Sequence, residues 1–99
     1  MNSAIGGASE ELDELTSLYV GEMPARIDAL KAAFGDHDWD GLTRLAHQLS
    51  GSAGSYGFPE LSRLARRLEA LLIGNGSTED TTRAFEELMH GCALLKWPA

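Results

Sequence analysis

Leucine and alanine recur every three or four residues along most of this chain, and this spacing constrains its fold more than any other feature. Such periodicity is typical of amphipathic helices, and the β-branched residues that favour strands are few. Glycine and proline interrupt the pattern at Gly35, at Gly57 with Pro59, and at the run Gly74-Asn75-Gly76. The sequence therefore predicts an all-α protein whose helices are joined by short connections.

Five helical segments are predicted between these interruptions. They span about residues 9–22, 24–34, 38–56, 59–73 and 77–97. Ser9, Asp38 and Ser77 are the expected N-caps, and Pro24 and Pro59 are the expected first helical residues. Short connections favour an up-and-down four-helix bundle with an additional N-terminal helix, in a single domain over residues 1–99.

Charge and composition argue against several classes of function. The chain has 8 Lys and Arg against 15 Asp and Glu, which gives a formal net charge of −7 over 99 residues. Binding to nucleic acid or to an anionic membrane relies on a surplus of cations, so neither partner is expected. No apolar stretch is long enough for a membrane span. One cysteine and no signal-peptide pattern after Met1 predict a cytoplasmic protein, which we expect to be a monomer.

The third predicted segment has an unusual face around His47. At about 100° per residue, its apolar positions lie roughly 120° to 180° from His47: Leu42, Leu45, Leu49, Ala53 and Tyr56. The imidazole is therefore expected to face outward. Small residues surround it within about 60°: Thr43, Ser50, Gly51 and Gly54.

The two glycines beside His47 need a reason, because each costs about 1 kcal/mol relative to alanine inside a helix. The simpler interpretation is a solvated histidine next to glycines that allow close helix packing. Packing glycines, however, belong on the apolar side, whereas Gly51 and Gly54 flank the outward imidazole. A bare surface around a neutral imidazole favours a nucleophile to which a second protein brings a phosphoryl group.

The third and fourth segments contain the run Ala46-His47-Gln48-Leu49-Ser50-Gly51-Ser52-Ala53-Gly54-Ser55-Tyr56-Gly57, followed by Leu61, Leu64, Leu68 and Glu69. This run resembles the signature of histidine-containing phosphotransfer (HPt) domains. The resemblance implies a four-helix bundle whose His47 accepts a phosphoryl group from a receiver aspartate or from a (hybrid) sensor histidine kinase. It further implies transfer onward to a response-regulator receiver domain, no kinase activity in this chain, and no cofactor here, with Mg²⁺ held by the partner receiver.

One position departs from the family pattern, which usually has a lysine three residues after the histidine, where this chain has Ser50. Ser50 could donate a hydrogen bond to the phosphoryl group. Arg44, one turn before His47 and about 60° round the helix, could supply the positive charge instead, and we favour Arg44.

The remaining surface around His47 is expected to dock the receiver, through Thr43, Gly51 and Gly54. Arginines on the fourth segment, Arg63, Arg66 and Arg67, either help to hold an acidic receiver or are ordinary solvated charges. The alternative function is an acidic helical adaptor, a degenerate HPt domain that docks a signalling partner without phosphotransfer.

Other groupings of polar residues are weaker candidates for chemistry. Glu87 and His90 have the spacing of a di-iron ligand pair, but a second such pair is absent from the sequence. Asp36, His37 and Asp38 are better explained as the entry to a helix, with aspartate as its cap, than as a cation site. Cys92 falls in an apolar stripe and is expected to be a buried thiol. No metal site is therefore expected.

Overall fold

The computed structural model describes the backbone of residues 3–95 and the side chains of residues 14–95. This part of the chain forms α1 (Ser3–Gly35), α2 (Trp39–Ser55), α3 (Pro59–Ile73) and α4 (Thr78–Leu94), and it contains no strand. The all-α prediction is therefore confirmed. Helix α2 packs against both α1 and α3, and α3 also packs against α4. Within the same residues, no helix is both long enough and apolar enough to cross a membrane.

The first helix differs from the prediction. Residues 3–35 form one helix that passes through Pro24, so the predicted division into two segments at this proline is wrong. A separate additional N-terminal helix is not seen, and Ser9 does not begin a helix because its backbone already lies within α1. Proline inside a helix removes a hydrogen bond and costs about 3 kcal/mol, so other contacts must keep α1 helical at this position.

Buried residues on both sides of Pro24 supply those contacts. Tyr19 and Met23 precede the proline, Leu30 follows it, and all three lie in the same hydrophobic core. Tyr19 also stacks on Tyr56 with ring centroids 4.5 Å apart, which attaches α1 to the end of α2. Because the core is continuous along α1, a break at the proline would expose buried surface, and the helix continues instead.

The starts of the other three helices follow the predicted signals. Asp38 caps α2 by accepting a hydrogen bond from the backbone N–H of Gly41 at 3.0 Å. Ser77 caps α4 by accepting from the N–H of Asp80 at 3.0 Å. Pro59 is the first residue of α3. Helix α4 ends at Leu94, earlier than predicted, and residues 96–97 of the predicted segment lie outside the described part of the chain.

The core forms on the predicted apolar faces. It contains Leu42, Ala46, Leu49 and Ala53 from α2, Leu61, Leu64, Ala65 and Leu68 from α3, and Ala84, Phe85, Leu88 and Cys92 from α4. Leu45 and Tyr56 are only partly buried at its edge. Burial raises the pKa of the Cys92 thiol to about 11. The thiol therefore stays protonated near neutral pH, as expected for a structural cysteine.

Removal of the α2 cap gives a first test of this fold. We expect Asp38→Ala to lower the free energy of unfolding by about 1 kcal/mol, because the N–H of Gly41 loses its acceptor. Urea denaturation measures this loss. Asp36→Ala is the matched control, since Asp36 is an exposed neighbour outside the helix. Equal stabilities of the two variants would contradict the capping assignment.

Candidate functional site

His47 lies near the middle of α2, on the face opposite the buried leucines. Its side chain is 72% exposed, so the imidazole faces outward as the helical spacing predicts. The residues that pack inward from the same helix, Leu42, Leu49 and Ala53, hold the backbone against the core. The ring therefore stands on a rigid element while its edge remains accessible, which suits a group that reacts with a second protein.

Glu69 on α3 orients this imidazole. Its Oε2 lies 2.7 Å from Nδ1 of His47, and the Glu69 side chain is only 17% exposed. An ionised carboxylate accepts hydrogen bonds, so in the neutral imidazole Nδ1 carries the proton and its N–H donates a hydrogen bond to Glu69. The lone pair of this tautomer lies on Nε2, the ring nitrogen that does not contact Glu69.

The hairpin between α2 and α3 brings these two residues together. Gly57 takes a φ of +89°, a conformation that side chains disfavour, and the chain turns there before Pro59 starts α3. His47 and Glu69 each lie 11 positions from Phe58, so antiparallel pairing places them opposite each other. This symmetry is a signal that the sequence already contained, although Glu69 was not among the predicted site residues.

A shallow groove beside the imidazole runs between the two helices. Besides His47, it is lined by Asp40, Thr43, Arg44, Glu69, Leu72 and Ile73. Arg44 is exposed and makes no ion pair within the described part of the chain. The Thr43 hydroxyl donates to the Trp39 carbonyl of its own helix at 2.7 Å. Arg44 is therefore the cation that α2 itself contributes to the groove.

Ser50 does not lie on the exposed face where the helical spacing placed it. It is buried, and its hydroxyl donates to the backbone carbonyl of His47 at 2.8 Å. Ser62 of α3 covers this turn and donates its own hydroxyl to the Ser50 carbonyl at 2.5 Å. The Ser50 hydroxyl thus bonds within its own helix rather than pointing toward the outer edge of the ring.

The two glycines after His47 have different surroundings. A Cβ built on Gly51 would meet no atom within 4 Å, so this position is open surface. A Cβ on Gly54 would lie 3.4 Å from the Ser62 hydroxyl, which makes Gly54 part of the contact between α2 and α3. The bare surface beside the imidazole is therefore best represented by Gly51.

The weaker candidates have structural partners. Glu87 forms an ion pair with Arg67 across α3 and α4, and Arg63 pairs with Glu60 within α3. Asp38 caps α2. Among residues with described side chains, no group of three or more His, Cys, Asp or Glu could hold a metal ion.

Of the exposed histidines in the described residues, His47 is the one whose ring contacts a carboxylate and borders the bare surface at Gly51, an arrangement that suits a histidine that carries a phosphoryl group. The model of the Hpt domain family matches residues 14–96, and the chain belongs to this family. Hpt domains carry out histidine phosphotransfer in two-component signalling, where they interact with response-regulator receivers and histidine kinases. No curated protein and no solved structure matches the chain significantly.

Proposed function

We propose that His47 accepts a phosphoryl group from a receiver aspartate or a histidine kinase and passes it to a response-regulator receiver domain. The observation that carries this proposal is the 2.7 Å contact between Glu69 Oε2 and His47 Nδ1, which leaves Nε2 of an exposed ring available for attack. Thr43 and Gly51 form the docking surface around it, and the exposed Gly54 extends this surface to where α2 meets α3. Ser50 supports the His47 backbone, because its hydroxyl donates to the His47 carbonyl.

The transfer step needs no proton movement at the attacking atom. The Nε2 lone pair attacks phosphorus in line, a P–N bond forms, and the P–O bond to the receiver aspartate breaks with its electron pair on the departing carboxylate. The Nδ1 proton stays in its bond to Glu69, whose charge stabilises the imidazolium that forms. Mg²⁺ is assigned to the receiver, and onward transfer is the reverse of this step at a second receiver.

Chemical labelling tests this function without a cognate partner. The protein is treated with phosphoramidate, a small donor that phosphorylates histidine, and the product is divided between acid and alkali. Phosphohistidine is lost in acid and survives alkali, whereas phosphoserine survives acid. We expect one acid-labile phosphoryl group, which is then passed to a receiver domain. A protein that docks receivers yet takes up no phosphoryl group would instead be the adaptor.

Loss of the Glu69 charge should slow the reaction. We expect Glu69→Gln to reduce phosphoryl uptake by about 10- to 100-fold, because a neutral amide stabilises the developing imidazolium less than a carboxylate does. The rate of phosphoramidate labelling measures this effect. Glu87→Gln removes another carboxylate that bonds across helices and should label at the rate of the unsubstituted protein. Equal rates for both variants would remove Glu69 from the mechanism.

Arg44 should contribute to transfer from the α2 side of the groove. Arg44→Gln is expected to slow transfer to a receiver by about tenfold, because one charge-assisted contact with the phosphoryl oxygens is lost. Stopped-flow transfer from the phosphorylated protein measures this rate. Substitution of Lys31, an exposed cation on α1, by Gln provides the control. Transfer by Arg44→Gln at the unsubstituted rate would show that Arg44 is an ordinary surface charge.

A further inference from the structure

The charges around His47 leave a phosphoryl group short of positive partners. Phosphorylation adds negative charge beside Glu69, which contacts the ring, and near Asp40, which lines the same groove. Arg44 is the only cation in that lining. Ser50, on the opposite side of the ring from Arg44, is neutral and its hydroxyl is already bonded to the His47 carbonyl. A cation on the Ser50 side of the ring must therefore come from α3.

The three arginines of α3 differ in their hydrogen-bond partners. Arg63 pairs with Glu60, and Arg67 pairs with Glu87. Arg66 has no carboxylate partner within the described part of the chain, and its Nη2 donates only to the Ser62 hydroxyl, at 3.4 Å. That hydrogen bond is long and therefore weak. The guanidinium of Arg66 is thus the one on α3 that can exchange its partner at little cost.

Hairpin geometry places Arg66 opposite the turn of α2 that follows His47. Gly54 lies against Ser62, and His47 lies against Glu69, so α2 and α3 pair symmetrically about Phe58. The same symmetry places Arg66 opposite Ser50, since each is eight positions from Phe58. Along the α3 axis, Arg66 is only about 4.5 Å from Glu69.

The turn of α2 that follows His47 leaves room for this side chain. Ser50 is buried with its hydroxyl turned back to the helix, and Gly51 and Gly54 have no side chains. Ser62 and Glu69, the residues on either side of Arg66 along α3, both contact α2. Ser50, Gly51 and Gly54 therefore place no long side chain between the Arg66 guanidinium and the imidazole.

From these contacts we infer that Arg66 is a catalytic residue of phosphotransfer, an inference that rests on the proposed function of His47. When phosphorus bonds to Nε2, the guanidinium leaves the Ser62 hydroxyl and donates two N–H groups to the phosphoryl oxygens. Arg66 and Arg44 then hold the phosphoryl group from opposite sides of the ring. Arg66 forms and breaks no covalent bond, and the P–N and P–O bonds change as described above.

The ionisation of the phosphoryl group tests this inference directly. The protein is phosphorylated with phosphoramidate, whose P–N bond breaks with its electron pair on ammonia, and the ³¹P resonance of phosphohistidine is followed against pH. A cation that contacts the phosphoryl oxygens favours the dianion. Arg66→Gln should therefore raise the midpoint of the titration by about half a pH unit or more, and uptake should slow about tenfold. Asp40, Arg44 and Glu69, the charged groups that line the groove beside His47, are the same in both proteins.

Two further variants test whether the effects of Arg66→Gln come from the lost positive charge at this position. Arg66→Lys should restore most of the midpoint shift, because it keeps the charge, and only part of the rate, because it loses the paired N–H groups. Arg83→Gln removes an exposed arginine of α4 and should change neither. A normal midpoint and rate in Arg66→Gln would overturn the role of Arg66 and leave the proposed function intact. Failure of the unsubstituted protein to form phosphohistidine would overturn both.

Discussion

Replacement of His47 by Gln is expected to abolish phosphoryl uptake while the protein stays folded. The amide has no nucleophilic nitrogen, so no P–N bond forms at this position. The thermal midpoint should remain within a few degrees, because the side chain is 72% exposed and exposed substitutions change stability little. Phosphoramidate labelling with acid and alkali treatment measures uptake, and circular dichroism during heating measures stability.

His90→Gln is the matched control for this experiment. His90 is exposed and helical like His47, but it lies on α4, in a second groove that Glu87 also lines. We expect this variant to label at the rate of the unsubstituted protein. Undiminished labelling of His47→Gln, or loss of labelling in His90→Gln, would remove His47 from the role of acceptor.

A long side chain at Gly51 should block docking of the receiver domain without slowing phosphorylation of His47 by a small donor. Gly51 lies one turn after His47 on open surface, so the side chain of Gly51→Gln would occupy the space through which a receiver approaches. Phosphoramidate is small and should still react at nearly the normal rate. Transfer to a receiver domain that accepts the group from the unsubstituted protein should slow by orders of magnitude.

The stability of Gly51→Gln should rise rather than fall. Glutamine forms helices better than glycine does, so the free energy of unfolding should increase by about 0.5–1 kcal/mol. Gly21→Gln, at an equally open helical glycine of α1, should gain similar stability and keep normal transfer. If Gly51→Gln transfers to the receiver as fast as Gly21→Gln does, the bare surface is not the docking site.

The starts of α2, α3 and α4 could be predicted because their signals are local. An aspartate, a serine and a proline act within one turn of where they stand, and Asp38, Ser77 and Pro59 take the expected places. The continuity of α1 could not be predicted in this way. A local signal at Pro24 is overridden by burial of Met23 and Leu30 on either side, which depends on helices distant in sequence.

The site itself was predicted in part. Helical spacing alone placed His47 outward, since the period of a helix fixes which side chains oppose the core. The same spacing placed Ser50 on the surface, and this prediction was wrong. Helical spacing within α2 does not tell on which side of His47 the neighbouring helix α3 packs. Helix α3 covers the Ser50 side, where Ser62 bonds the Ser50 carbonyl, and the same packing brings Glu69 to the ring.

The nitrogen that carries phosphorus is the most direct test of the central claim. Long-range ¹H–¹⁵N spectra of histidine-labelled protein distinguish the two ring nitrogens before and after treatment with phosphoramidate. Because Nδ1 of His47 lies 2.7 Å from Glu69, we predict a proton on Nδ1 in the unmodified ring and phosphorus on Nε2 in the product. Phosphorus on Nδ1 of His47, or on His37 or His90 instead, would contradict the account.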